Sequence, residues 1–306
     1  MQKDVKMETL GASITKAASL QSYYTVRFLV DRELVSDAYQ AYAYFRWVDD
    51  WLDQATRQRS ERLAFASRQA ALIDACYQRK AFKPAAAEEN MLIALIQKDG
   101  EKNSGLQSYI RNMMSVMAFD AERRGRQISS EELNRYARRL ATAVTEALHY
   151  FIGHRSASPH GATRYLAAEG AHIAHMLRDT LDDNKLGYFN IPREYVTANG
   201  ISPLDIDSGP YRAWVKGRVD LARRYFQEGR GYLAQVASLR CRLAGYAYMA
   251  RFESVLDSIE RDEYVLRSEY RESKSPRAGA RMGWSVFWSA FNDRQAGPES
   301  GALTTR

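Results

Sequence analysis

Apolar residues recur at intervals of three and four along most of this chain, and only seven prolines and eighteen glycines interrupt 306 residues. That is the period of a helix with one buried face, and no run alternates as a half-buried strand would. The spacing predicts helices over about 12–30, 33–55, 58–79, 87–98, 104–124, 130–153, 161–186, 209–238 and 240–270, hence an all-α protein. Ser129, Ser130, Glu131 and Glu132 read as a helix start with acids in its first turn, and Gly187 followed by Pro192 as a stop.

No fixed-period repeat and no Gly/Ser linker divides the chain before about residue 271, so a single large helical domain over 1–270 is expected, followed by a basic and aromatic tail, 271–306. The tail opens with RESKSPRAGAR, and GWSVFWSAF then sets Trp284, Phe287, Trp288 and Phe291 on one helical face. Such a segment either lies in a membrane interface or docks on the surface of its own domain.

Hydrophobic residues make up 45% and charged residues 26%, the balance of a soluble globular chain. No apolar run approaches the roughly 18 residues that span a bilayer, and MQKDVKMETLGASITKAASLQ lacks a signal peptide's continuous apolar stretch. The expectation is a cytoplasmic protein, peripheral to the inner face of the membrane if residues 280–292 make contact there. Cys76 and Cys241 lie far apart without metal-ligand spacing, and both read as small core residues. A formal charge of +7 favours an anionic partner, but basic residues are interleaved with acids and no nucleic-acid module is present, so nucleic acid is not expected.

Against this background FRWVDDWLDQ, residues 45–54, is anomalous. A carboxylate is costly in an apolar neighbourhood unless something positive meets it. On a helix Asp49 and Asp53 share a face, with Asp50 beside them and Arg46 one turn earlier. A second row of this kind, His172, His175, Asp179 and Asp183, with Arg178 and Asp182 flanking, occurs in HIAHMLRDTLDDNKLGYFNIPRE. One D-x-x-x-D is ordinarily a solvated face. Two, each flanked by arginine and embedded in apolar residues, are suited to gripping a diphosphate through Mg²⁺, a hard cation that shares carboxylate and phosphate oxygens. Arginines beside the rows can take the remaining phosphate oxygens bidentately.

The chain at this point resembles the squalene/phytoene synthase family. Tyr42, Arg46, Asp49, Asp50 and Asp53 in YAYFRWVDDWLD resemble the family's first aspartate motif. Arg178, Asp179, Asp182 and Asp183 in RDTLDD resemble its second, with GYFNIP where GRxYLP is expected. Ser19 to Tyr24 resemble its Ser- and aromatic-rich flap, Tyr136 with Leu140 to Thr142 its Y-x-x-x-V-A-G segment, and Tyr248 to Arg251 part of its closing helix. The resemblance implies a helical bundle of the isoprenoid synthase type with a central active-site cavity. It also implies a prenyltransferase that joins two farnesyl or geranylgeranyl diphosphates head to head.

It implies metal ligands at Asp49, Asp53, Asp179 and Asp183, with Mg²⁺ or alternatively Mn²⁺. It implies diphosphate or substrate contacts from Ser19, Gln21, Ser22, Tyr42, Arg46, His172, Arg178 and Tyr248, and proton transfer at Tyr136. NADPH stays open: squalene formation needs its hydride, and the family binds it without a G-x-G-x-x-G. A single-substrate terpene cyclase or diphosphate-removing enzyme on the same scaffold is the alternative, and a non-catalytic lipid-binding or assembly protein a more distant one.

The departures are specific. His175 and His172 stand where the family has Asn and Gln, so His175 is open as an altered metal ligand, a base or a donor to a ligand. Tyr188 and Asn190 replace an Arg and a Tyr, suggesting a lost diphosphate contact, and Thr142 and Thr145 replace two glycines, suggesting lost close packing. Glu146 falls about 80° round the helix from Tyr136 and is expected to serve a structural ion pair.

Overall fold

The computed structural model describes residues 2–154 and 156–270. Among the described residues there are eleven α-helices: α1 (Gln2–Ala18), α2 (Leu20–Leu29), α3 (Val35–Asp53), α4 (Arg59–Tyr77), α5 (Ala87–Lys98), α6 (Gly105–Arg123), α7 (Ser130–Phe151), α8 (Leu166–Leu186), α9 (Arg193–Asn199), α10 (Gly209–Gln235) and α11 (Leu239–Arg261). Among the same residues there is no strand, only an isolated bridge between Gln127 and Phe189, and no helix is long and apolar enough to cross a membrane. The tail beyond residue 270, with its aromatic face at 284–291, lies outside the described residues.

The helices begin and end where side chains satisfy the backbone groups that a helix leaves open. Ser129 caps α7 in a reciprocal box with Glu132, Ser104 caps α6, and Gly187 closes α8 at φ 85, a left-handed conformation that suits a residue without a Cβ. Three boundaries differ from the periodicity. The expected helix over 12–30 is two, because the Ser19 hydroxyl accepts from Ser22 N at 3.1 Å and starts α2 afresh. The helix expected over 161–186 opens as a 3-10 turn, Ala162–Tyr165. The last helix stops at Arg261 because Glu263 and Tyr264 adopt positive φ.

α6 lies against α7 and α4, α8 against α7, α10 and α11, and α3 against α1 and α5. One large apolar cluster runs through these contacts, including Tyr44, Val48, Leu92, Leu106, Ala174, Phe226 and Met249. Close helix approaches sit at glycines between α8 and α10. A Cβ on Gly229 of α10 would meet the Ala167 backbone at 2.9 Å, and one on Gly170 of α8 would meet Ala222 O at 3.1 Å. Cys241 is buried as expected, whereas Cys76 is only partly covered.

Candidate active site

The end of α3 and the middle of α8 bring the two acid rows to one place. Asp49 and Asp53 from α3, and His172, His175, Asp179 and Asp183 from α8, line a single cavity of about 280 Å³. α6 adds Met117, Asp120 and Arg123, α7 adds Tyr136 and Leu140, and the segment after α8 adds Tyr188 and Asn190. Each row is a helix face, since residues three and four apart superpose on one side.

Direct hydrogen bonds hold most of these acids. Tyr188 OH donates to Asp53 at 3.2 Å, and Asn190 Nδ2 donates to Asp183 at 2.9 Å. Arg123, buried, donates to Asn190 Oδ1 at 2.8 Å and to Asp120 at 2.6 Å, and Tyr136 OH donates to the other Asp120 oxygen at 3.0 Å. The two replacements after α8 therefore do not leave a gap: Tyr188 and Asn190 orient the aspartates. Asp120, Arg123, Tyr188 and Asn190 complete the constellation without having been singled out as site residues. The sequence signals were the motif positions of Tyr188 and Asn190 after the second acid row and an acid, Asp120, three residues after Met117 on α6.

The electrostatics divide the acids. Burial and the neighbouring Asp53 carboxylate raise Asp49 to about 7, and burial and Asp179 raise Asp183 to about 7. Burial also raises Asp120, against the pull of Arg123. For Asp179 burial is outweighed by hydrogen bonds from Arg178, at 2.6 and 2.7 Å, and from His175, at 2.8 Å, which hold it below the usual carboxylate range. Arg46 lies at the rim, 3.4 Å from Asp49 and paired with Asp50. His172 is 5% exposed, rests on the Tyr136 ring with centroids 5.2 Å apart, and is kept neutral chiefly by burial.

A second, more apolar cavity of about 300 Å³ lies one turn further along α6 and α7. Met117 and Met113, and Leu140 and Val144, are successive turns of α6 and α7, one in each cavity. Ser22, Tyr42, Tyr248 and Arg251 are polar members of its lining, and Val30, Phe151 and Ile152 are buried apolar ones. Burial and the nearby Arg178 guanidinium push Arg251 below its ordinary value, which places two cations near one another. Arg251, one turn from Tyr248, is legible in the sequence only as the end of the closing-helix resemblance and not as a site residue.

One expected site residue falls elsewhere. Ser19 is committed to capping α2, and the Gln21 side chain lies outside the described residues. Glu146 is in a structural ion pair as expected, 2.9 Å from Arg164 Nε and accepting from Tyr165 OH at 2.9 Å. Among the described residues no three His, Cys, Asp or Glu side chains converge closely enough to enclose a metal ion by themselves. The donor set nevertheless suits a hard divalent cation: Asp49, Asp53, Asp120, Asp179 and Asp183 are oxygen donors facing one cavity, and the burial and mutual repulsion that lift Asp49 and Asp183 are what such a cation would offset.

The squalene/phytoene synthase family matches residues 15–278. The chloroplastic phytoene synthase of Daucus carota is 29% identical over 96 residues, 30% of this chain and 24% of that protein, so the match spans about a quarter of the relative's length. Among solved structures, squalene synthase HpnC from Alicyclobacillus acidocaldarius superposes with a TM-score of 0.68 at 18% identity, covering 87% of this chain and 98% of that one. A dehydrosqualene synthase in complex with ligand gives a TM-score of 0.70 at 16% identity, covering 94% and 97%. At these identities the likeness is one of fold.

Proposed function

From the premise that the chain belongs to the squalene/phytoene synthase family, we propose that it joins two prenyl diphosphates, farnesyl or geranylgeranyl, head to head, with release of diphosphate to give a squalene- or phytoene-type hydrocarbon. The observation that carries this reading is the cavity shared by the α3 and α8 acid rows, with an apolar cavity one helical turn beyond it along α6 and α7. Residues 1–270 would form the synthase unit.

Asp49, Asp53, Asp179 and Asp183 would hold Mg²⁺ or Mn²⁺, which when bound supplies Lewis acidity to the departing diphosphate. Arg46, Arg178 and Arg251 bind phosphate oxygens, with Ser22, Tyr42 and Tyr248 as neutral donors at the mouth of the apolar cavity. A nitrogen ligand suits Mg²⁺ poorly, and His175 lies 2.8 Å from Asp179, so its role is to position that carboxylate. Tyr42, Tyr109, Phe151 and Tyr248 line the apolar cavity, where an allylic cation would be stabilised by ring π density and kept from water. Burial keeps the Tyr136 hydroxyl protonated, and its bond to Asp120 makes this pair the route for proton transfer.

The test is diphosphate release with product identification by mass spectrometry, from purified protein given farnesyl or geranylgeranyl diphosphate and Mg²⁺. A C30 or C40 product that disappears in Asp49→Asn and in Asp179→Asn is expected. Monomeric alcohol or cyclic product would instead assign a single-substrate reaction, and NADPH dependence of the product would distinguish reductive from non-reductive coupling.

A further inference from the structure

α2 carries apolar groups on two faces. Inward, Ser22, Val26 and the following Val30 line the apolar cavity. Outward, Leu20, Tyr24 and Phe28, spaced by four, are 57%, 50% and 69% exposed, with the Tyr24 and Phe28 rings stacked 6.0 Å apart. Phe28 is the most exposed large hydrophobic side chain among the described residues, and Leu239 at the start of α11 adds a 39% exposed leucine. Arg240 ties the two elements together, donating to Leu29 O at 3.2 Å and pairing with Asp31.

The rim of this stripe is basic. Arg27 is seven residues from Leu20 and therefore on the same side of the helix, Lys16 is exposed with its ammonium over the neighbouring Tyr23 ring, and Arg32 is exposed just after α2. Asp31 is buried and paired with Arg240, which leaves Glu33 as the exposed acid of this segment. A second copy would set two basic rims against each other, and the chain's own tail begins with Arg271, Lys274, Arg277 and Arg281, which are also cationic. An anionic surface with an apolar interior meets both the charge and the exposed rings.

We propose that α2 seats the protein on an anionic lipid bilayer, its outer stripe in the interfacial region and its inner face forming the wall between the apolar cavity and the acyl chains. The purpose of this contact, passage of an apolar product into the bilayer, rests on the prenyl-coupling reading; the contact itself does not.

The experiment is flotation of the full-length protein with vesicles of phosphatidylcholine alone or containing about 30% phosphatidylglycerol. Wild type is expected to float with the anionic vesicles and not with the neutral ones. Leu20→Gln/Phe28→Gln is expected to lower partitioning about tenfold or more, and Arg27→Glu to lower it on anionic vesicles. Trp284→Ser/Trp288→Ser, in the tail, is expected to retain it. Helical content and melting followed by circular dichroism check that each variant is folded.

The proposal is overturned if wild type floats with neither vesicle, if Leu20→Gln/Phe28→Gln floats like wild type, or if only the tail variant is released. It is equally overturned if sedimentation velocity shows a wild-type dimer that Leu20→Gln/Phe28→Gln dissociates. Diphosphate release measured in detergent separates the two readings: no turnover in any form, with the flotation pattern intact, would count against coupling and support the docking face.

Discussion

Arg123 is where the polar order of the site converges. Its guanidinium is buried between Asp120 and Asn190, and it lies 4.8 Å from the Tyr136 ring centroid and 5.0 Å from that of Tyr188. Removing one member of a buried pair leaves the other charge without compensation, which typically costs about 3–5 kcal/mol. Arg123→Met is therefore expected to lower stability by about that amount in urea unfolding, with Arg123→Met/Asp120→Asn recovering much of the loss. A loss in the double variant equal to the sum of the Arg123→Met and Asp120→Asn losses would show that the two residues are not coupled. Tyr136→Phe, which removes a donor to Asp120 but no charge, is expected to cost only about 1 kcal/mol. Its larger effect should be on turnover, read as a fall in kcat.

At the scale of elements, the crossing of α8 and α10 depends on the absence of a side chain at Gly229. A methyl group there would sit 2.7 Å from Ala167 Cβ and 2.9 Å from its backbone, which cannot yield as a flexible side chain would. Gly229→Ala is expected to destabilise by about 1–3 kcal/mol, as overpacking generally does, and a thermal melt unchanged from wild type would refute the close approach. Helix identity was readable in the sequence because periodicity and caps are local: α5 falls where its spacing placed it, and the Ser129 box marks the start of α7. Helix breaks were less readable. A lone Ser19 does not announce that its hydroxyl will start a new helix, and α9 is too short, at 7 residues, to show a period. The site divides in the same way. Asp49, Asp53, Asp179 and Asp183 were visible because each pair repeats at helical spacing, whereas Asp120, Arg123 and Asn190 matter through partners up to 67 residues away that only the packing of α6 against the segment after α8 brings together.

For the whole molecule, the acid-lined cavity makes stability depend on pH and on divalent cations together. Asp49 and Asp183 titrate near 7 in the folded protein against 3.8 unfolded, so the folded state holds their protons more tightly. Their contribution is fully present below about pH 4 and is lost as pH rises through about 7. His172 acts in the opposite sense: kept neutral in the fold against 6.5 unfolded, it costs stability as pH falls below that value, partly masking the carboxylates there. Asp179, held low, changes only in more acidic solution. The window in which the raised carboxylates act alone therefore runs from about pH 6.5 to about pH 8. In EDTA, Tm is expected to fall across that window, and Asp49→Asn/Asp183→Asn to flatten the fall. Mg²⁺ should raise Tm more at the upper end than at the lower, because the ion competes with the protons that the folded state retains and meets less competition as they leave. A Tm that rises across the window in EDTA would mean that Asp49 and Asp183 are not raised in the fold, and a Mg²⁺ effect that is the same at both ends would mean that the carboxylates facing this cavity do not share a cation.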